Sequence, residues 1–347
     1  MASTNSNTIR IGILGCAKVV EKNALPSLQN LPGGKLTAIA SRDRIKTQEW
    51  AAKYNLTAYD SYEELLSSTE IDAVYIPLPI GLHEQWVIAA ANHKKHVICE
   101  KSLSTSLQST KNMIEACQKN NVILFENFMC AYHPQHEFVR TTIASGKIGK
   151  VRIYKGYFGF PPFEKNSFRY DPILGGGSLN DAGAYTIFMA RKIFQTEPIA
   201  LTSTLEYNTE KGVDIHGSLF AEFPHNQVAI TSFGFDQVYQ NNYELWGQNG
   251  LIKVNRAFSI PPNLAPPIEL ITNENMTQKT QSPILLPFNQ FEAIFIDFIY
   301  CINNKNSPIA TIEQQHRIQN ILNQARCMEA IRISHKENRK VMLLEVN

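Results

Sequence analysis

Two short stretches of this chain carry side chains that carbonyl or alcohol chemistry could use. Glu100-Lys101-Ser102 sets a carboxylate and an ammonium at the end of an apolar run, His96 to Cys99. A lysine at such a strand end could polarise a carbonyl; the alternative is a solvated surface pair worth little. The second stretch, Gly175-Gly176-Gly177-Ser178-Leu179-Asn180-Asp181-Ala182-Gly183-Ala184-Tyr185, opens with three glycines that permit close backbone approach. The helix expected after them puts Asp181 and Tyr185 one turn apart. A carboxylate and a phenol separated by small residues are either presented into a site or are a dipole-facing acid beside a packed ring. Just upstream, Arg169 offers a guanidinium able to meet one phosphate or a cluster of hydroxyls.

Gly12-Ile13-Leu14-Gly15-Cys16-Ala17-Lys18-Val19-Val20 falls where a strand should turn into a helix. In a dinucleotide-binding turn, G-x-G-x-x-G/A, glycines let the backbone approach a pyrophosphate at the helix start. Only Gly15 obeys that pattern, with Ala17 and Val20 at the other two glycine positions. The turn therefore reads either as a cradle built from Gly12, Gly15, Cys16, Ala17, Lys18 and Val19 or as a tight structural turn. At the end of the next strand, where an acid would hold a ribose 2′-hydroxyl, the chain has Ser41-Arg42-Asp43-Arg44. A hydroxyl followed by a guanidinium suits a 2′-phosphate and hence NADP(H), with NAD(H) the alternative if Asp43 is the ribose ligand.

These candidates need elements to position them. The first half alternates β-rich runs (10–14, 36–40, 73–76, 96–99, 122–125) with helical patterns (25–31, 47–54, 63–67, 83–92, 107–118), after a polar arm over 1–8. Strands alternating with helices give a parallel sheet covered on both faces. Ligands bind beyond the carboxyl ends of such strands, so Leu78, Pro79 and His83, after the 73–76 run, face the same crevice as Glu100 and Lys101. From Lys150 the grammar changes to a mostly antiparallel meander: 151–159, 200–207, 218–223, 227–235, 243–246 and 252–254. Helical patterns over 179–194, 288–302 and 312–335 interrupt and close it, and 261–267 reads as a proline-rich loop.

Composition narrows the class. With 347 residues, 44% hydrophobic and 18% charged, the chain is globular, long enough for two domains. Its formal net charge of +2 gives no strong electrostatic footprint for nucleic acid or an anionic membrane, a local basic patch aside. The six cysteines form no C-x-x-C, which points to a reducing compartment, the cytoplasm. Ile13-Leu14-Gly15-Cys16 looks superficially like a lipoprotein cleavage box, but its apolar stretch is too short. The apolar tract 284–302 carries Asn289, Gln290, Glu292 and Asp297, so no transmembrane helix is expected. No H-E-x-x-H, nucleophile elbow or Walker loop occurs, and no metal is expected.

In their order and spacing these segments resemble the Gfo/Idh/MocA family, the glucose-fructose oxidoreductase and inositol dehydrogenase group of NAD(P)-dependent sugar oxidoreductases. The likeness runs through Gly12 to Ala17, Pro79 to His83, His96 to Lys101, Glu126-Asn127-Phe128-Met129 with His133-Pro134-Gln135, Gly146 to Val151, and Gly175 to Tyr185. It implies a Rossmann doubly wound domain over 1–127 and an α+β domain over 128–347 with a large, mostly antiparallel, open-faced sheet. It also implies that Lys101 lies at the reacting carbon and that Asp181 and Tyr185 line the same pocket. Tyr rather than His at 185, and the Gly-Cys-Ala turn, are similar to the branch of NADP-dependent sugar 3-ketoreductases, with dihydrodiol and xylose dehydrogenases beside it. Two departures stand out: Ser102 replaces the usual Pro after the lysine, and Ala131 stands where many relatives have Arg.

The expected function is NADPH-dependent reduction of a keto sugar, with Lys101, Tyr185 and Asp181 as the catalytic residues and Arg169, Asp181 and Tyr185 meeting the substrate. The expected substrate is a sugar or nucleotide-linked 3-keto deoxysugar. Dihydrodiol or xylose dehydrogenase activity and a non-catalytic NADP-sensing role are the alternatives. An open sheet face needs cover, so a homodimer or homotetramer is expected. Tyr185 is assigned as general acid, Lys101 as the charge that lowers its pKa, and Asp181 as an orienting group; the rival assignment gives the proton to Lys101.

Overall fold

The computed structural model describes residues 8–29, 31–274 and 277–347. The polar arm at 1–7, and Asn30 within the helical pattern at 25–31, lie outside the described residues. By its contacts the chain divides into two compact units, Met1–Asn127 with Phe291–Leu322, and Phe128–Gln290 with Asn323–Asn347.

The first unit alternates β1 (Ile9–Leu14), α1 (Leu25–Leu28), β2 (Gly34–Ala40), α2 (Arg44–Tyr54), β3 (Thr57–Tyr59), α3 (Tyr62–Ser67), β4 (Ala73–Ile76), α4 (His83–Asn92), β5 (His96–Glu100), α5 (Leu107–Lys119) and β6 (Leu124–Asn127). All strand pairs are parallel, in the order β3-β2-β1-β4-β5-β6, the Rossmann arrangement whose order reverses between β1 and β4. Local chemistry starts the helices where the crevice needs them. Asp43, Ser61 and Ser106 each accept a first-turn amide, from Lys46, Glu64 and Ser109, a cap worth about 1 kcal/mol. One face of the sheet, with Val74, Ile76, Val97, Cys99 and Leu124, packs on Trp86, Val87 and Ala90 of α4 and Met113 and Cys117 of α5. On the same sheet's other residues, Tyr75 and Phe125 meet Phe295 and Phe298 edge-on, at 5.4 and 5.2 Å between ring centres. Those two rings belong to α8 (Gln290–Asn303), which returns to this unit late in the chain. The expected domain boundary at residue 127 carries no mark of that return, because a helical pattern looks the same whichever sheet it covers.

The second unit holds α6 (Pro134–Ala144), β7 (Val151–Gly159), α7 (Ala184–Phe194), β8 (Ala200–Asn208), β9 (Val213–Phe223), β10 (Gln227–Gly234), β11 (Gln240–Gly247), β12 (Gly250–Val254), β13 (Ile268–Glu274), β14 (Thr277–Gln281) and β15 (Val341–Met342). Their order is β14-β13-β12-β11-β7-β10-β9-β8-β15, antiparallel throughout except for the parallel pair β7 and β10. Alternation divides the sheet's faces: Leu219, Ala221, Ala229, Phe233, Tyr154, Phe158, Tyr243 and Leu245 are buried, whereas Phe220, Ile230 and Trp246 stand exposed. The last helix, α9 (Pro308–Glu337), begins in the residues of the first unit and ends in those of the second.

Strands β3, β13, β14 and β15 have no counterpart in the sequence reading, nor does α6. β14 is Thr-Gln-Lys-Thr-Gln and fully exposed, an edge strand with no apolar alternation to betray it. The helix expected from Leu179 to Phe194 begins instead with a π-type turn, Leu179–Gly183, before α7, and a second π-type turn, Val20–Ala24, precedes α1. No described helix is long and apolar enough to cross a membrane.

Candidate active site

In the first unit β1 delivers Gly15 at φ +114°, a conformation side-chain-bearing residues rarely adopt, and its amide donates to Ala40 O at 2.7 Å. A Cβ on Gly15 would come 3.0 Å from Leu78 Cδ2. Gly12 is different: a Cβ there would lie 2.8 Å from Leu65 Cδ2, so its bareness serves packing between strand and helix. Beyond Gly15, Cys16, Ala17 and Val19 are half-buried and Lys18 is exposed. Burial pushes the Cys16 thiol up, against opposing pulls from Ser41, Lys46 and Thr47.

At the end of β2, Ser41 and Asp43 are both committed to the chain itself. Ser41 Oγ is buried, within 2.8 Å of Asp43 O and of Thr47 Oγ1. Asp43 Oδ1 accepts the Lys46 amide at 3.0 Å, capping α2. Arg42 is exposed and makes no side-chain hydrogen bond or ion pair among the described residues. Lys46, which the sequence reading passed over, donates through Nζ to Cys16 O at 2.7 Å and sits over the Trp50 ring. The signal for it was a third cation, four residues after Arg42.

At the ends of β4, β5 and β6 a carboxylate is held by two neighbours. Glu100 Oε1 accepts from Tyr75 Oη and Asn127 Nδ2, each at 2.6 Å. Burial raises the Glu100 carboxyl, while Tyr75, Lys101 and Asn127 pull it down. Lys101, next in the chain, is half-buried, and its peptide bond to Ser102 is cis. His83 is fully buried. Its Nε2 faces Leu78 O at 2.8 Å and its Nδ1 faces Ser102 O and Leu103 O at 3.2 and 3.1 Å. Burial lowers its pKa against the opposing pull of those carbonyls. His83 thus clasps the loop of Leu78 and Pro79 to the residues after Lys101 rather than exposing a ring atom. Tyr75 and Asn127 were missed as participants because a tyrosine inside an apolar strand reads as core.

In the second unit Asp181 Oδ2 accepts from Arg169 Nε at 2.6 Å. The Arg169 guanidinium also lies on the rings of Phe163 and Phe168, at 4.5 and 4.8 Å from their centres. Tyr185 is buried in an aromatic box of Phe128, Phe158 and Phe258, and its hydroxyl donates to Met129 Sδ at 3.6 Å. Of the residues the sequence singled out, Arg169 and Asp181 are paired directly, and Tyr185 stands four residues after Asp181 in its own aromatic box. Asp214, which ties the glycine turn to β9, was missed: a lone acid in a strand 35 residues away carries no local signal. Among the described residues no three His, Cys, Asp or Glu side chains converge as metal ligands.

Two family profiles match the chain: "Oxidoreductase family, NAD-binding Rossmann fold" over residues 9–128 and the "GFO/IDH/MocA C-terminal domain" over 136–253. A dTDP-3,4-didehydro-2,6-dideoxy-alpha-D-glucose 3-reductase of Saccharopolyspora spinosa is 37% identical over 253 residues, covering 73% of this chain and 76% of that protein. An NADP(+)-dependent D-xylose 1-dehydrogenase of Haloferax volcanii is 35% identical, covering 78% and 83%. Among solved structures, a 3-ketoreductase from Actinomadura kijaniata in complex with NADP and TDP-benzene superposes with a TM-score of 0.88 at 29% identity, over 94% of this chain and 98% of that one. With a Rossmann unit carrying a glycine turn and a lysine at a strand end, a second unit carrying the Asp181–Tyr185 helix, and both profiles matched in order, the chain belongs to the Gfo/Idh/MocA family of nicotinamide-dependent oxidoreductases.

Proposed function

We propose that this protein is an NADPH-dependent reductase of a nucleotide-linked 3-keto deoxysugar. The observation that carries the cofactor half is the division of labour at the end of β2: Asp43 is spent as a helix cap while Arg42 is exposed and uncommitted. A 2′-phosphate would meet Arg42 and the neighbouring Lys46, with the hydroxyl of Ser41 already given to the turn. The glycine turn fits a dinucleotide, because Gly15 at φ +114° lets the chain turn tightly after β1 while Cys16, Ala17 and Val19 beyond it stay half-buried and Lys18 exposed. The substrate half is supported by the similarity to the Saccharopolyspora spinosa reductase, which spans most of both chains.

When bound, the reduced nicotinamide supplies the hydride that adds to the carbonyl carbon. The protein must then deliver a proton to the oxygen as negative charge develops. Tyr185 is the donor in this reading: Phe128, Phe158 and Phe258 exclude water around its ring. Lys101, at the end of the strand His96–Glu100, is read as the positive charge that stabilises the developing alkoxide. Asp181 holds Arg169, fixing a guanidinium for the sugar hydroxyls or one phosphate. Glu100, fixed by Tyr75 and Asn127, gives the backbone of Lys101 a rigid neighbour. The test is turnover of enzymatically prepared dTDP-3,4-didehydro-2,6-dideoxyglucose with NADPH. Oxidation of D-xylose with NADP+ and no reduction of the keto sugar would overturn the reading.

The exposed sheet face, with Phe220, Ile230 and Trp246 among Lys155 and Glu244, supports burial against a second copy, a homodimer or homotetramer. A monomeric mass at micromolar concentration would refute it. Six free thiols, five of them buried, suit the reducing cytoplasm.

A further inference from the structure

The glycine turn that presents Asp181 and Tyr185 is held from beneath by groups the reaction does not use. Asp214, in β9, is 7% exposed, and its Oδ2 accepts from Ser178 Oγ at 2.7 Å and from the Leu179 amide at 2.6 Å. Its Oδ1 fills the place a side chain would take on Gly177: a Cβ there would lie 2.3 Å from it, and Gly177 stands at φ +109°. A second strut comes from α9. Arg332 donates to Asn180 Oδ1 at 2.7 Å, and Asn180 Nδ2 in turn donates to Gly175 O at 3.1 Å. Between them these bonds fix the segment from Gly175 to Asn180. The π-type turn Leu179–Gly183 starts at the amide Asp214 holds, Asp181 lies inside that turn, and Tyr185 follows at the start of α7.

A buried carboxylate is a costly way to satisfy two donors. A neutral serine or asparagine caps a helix amide without burying charge. What the charge adds is stronger, shorter bonds to a turn whose i→i+5 geometry is rare and recurs at functional sites. Hydride and proton transfer need donor and acceptor atoms near 3 Å with aligned geometry, so a shift of about 1 Å in this turn is enough to cost on the order of a hundred-fold in rate.

We propose that Asp214 is a positioning residue for the reduction: through Ser178 and the Leu179 amide it sets where Asp181 and Tyr185 stand, with Arg332 bracing the turn through Asn180. This inference rests on the reading of Tyr185 as proton donor. Both Asp214 oxygens are spent on the turn itself, so its loss should appear in the chemical step and not in cofactor binding.

The experiment uses the full chain and four variants: Asp214→Asn, Gly177→Ala, their combination, and Tyr185→Phe. Asp214→Asn turns one acceptor into a donor; Gly177→Ala pushes the same carboxylate aside while leaving its charge. Single-turnover reduction of the keto sugar at saturating NADPH should slow about 10- to 100-fold in each of the first two. The NADPH dissociation constant, read by nucleotide fluorescence, should stay within about two-fold. Because both act on one contact, the double variant should be little slower than the worse single one. Amide exchange over 177–185 should quicken in both, and not in Tyr185→Phe. Faster exchange with a wild-type single-turnover rate in Asp214→Asn, while Tyr185→Phe is slow, overturns the inference and leaves the functional reading standing. A fully active Tyr185→Phe overturns the functional reading instead. If Asp214→Asn does not fold, Ser178→Ala removes one of the two bonds and keeps the carboxylate; it should slow the step about 3- to 10-fold, and a wild-type rate there refutes the role.

Discussion

The turn at Gly15 and the turn at Gly175 to Gly177 both use glycines at positive φ, +114° in the first and +76° and +109° in the second. What occupies the space left by the missing side chains differs. Beside Gly15 it is the flexible end of Leu78, at 3.0 Å, and the backbone beyond is partly exposed. Beside Gly176 and Gly177 it is the protein's own oxygen atoms, Arg169 O at 2.5 Å and Asp214 Oδ1 at 2.3 Å. One turn keeps its backbone open for something that arrives; the other is closed on itself so that the side chains after it are held still. The same residue type thus serves access in one unit and rigidity in the other, and only the neighbours tell which.

Four substitutions and one titration test this contrast. If the second turn serves chemistry, Tyr185→Phe should lower kcat by about 10²- to 10⁴-fold with NADPH affinity unchanged, by steady-state and pre-steady-state kinetics. A matching loss of cofactor affinity would erase the distinction. If the first turn and its surroundings serve cofactor binding, Arg42→Ala should weaken NADPH by about 10- to 100-fold, narrow its gap to NADH, and spare kcat at saturation. Equal affinities for the two cofactors in the unaltered protein would sink the 2′-phosphate assignment. The glycines themselves sharpen the point. Gly176→Ala meets backbone and should cost about 2 to 3 kcal/mol in denaturant unfolding, whereas Gly15→Ala meets a yielding side chain and should cost about 1 to 2 kcal/mol, mostly from its φ.

The smallest effect is acid lability. Burial pushes His133 down to about 4 and His136 down to about 3 in the second unit, and His96 down to about 4 in the first. The unfolded chain, with ordinary histidines near pH 6.5, binds more protons, so this stability is present above about 6.5 and drains away as pH falls toward those lowered values. Each histidine should account for roughly 1 kcal/mol between pH 6.5 and 5.5. Burial lowers His83 in the first unit as well, so each unit carries two such histidines and amide exchange at pH 5.5 should rise in both; a rise confined to one unit would contradict it.

Much of this was legible from residue order. The parallel sheet could be read because β4 and β5 are largely apolar runs between helical patterns, and the strand from Val151 to Gly159 was marked by its β-branched and aromatic residues. The candidate side chains Lys101, Arg169, Asp181 and Tyr185 announced themselves by type and by adjacent glycines. What stayed hidden needed long-range partners. Asp43 and Arg42 are neighbours whose jobs divide only once α2 claims the acid as its cap. Tyr75 and Asn127 meet Glu100 across strands, and Asp214 reaches the glycine turn from a strand laid down later in the chain. The π-type start of the 179–194 helix was invisible for the same reason: its cause is an acceptor elsewhere in the fold.

The return of residues 291–322 to the first unit bears on how the protein is made. On a ribosome, the nucleotide-binding strands emerge first, yet the apolar faces of Tyr75 and Phe125 wait for Phe295 and Phe298, 220 and 173 residues later in synthesis. Until then the nascent sheet has a hydrophobic side without a lid, and a gene fragment ending at residue 127 would leave it so permanently. Excision of the first unit as a stand-alone NADPH-binding module therefore calls for grafting 291–322 onto it, and the fragment without that graft should be the one that aggregates.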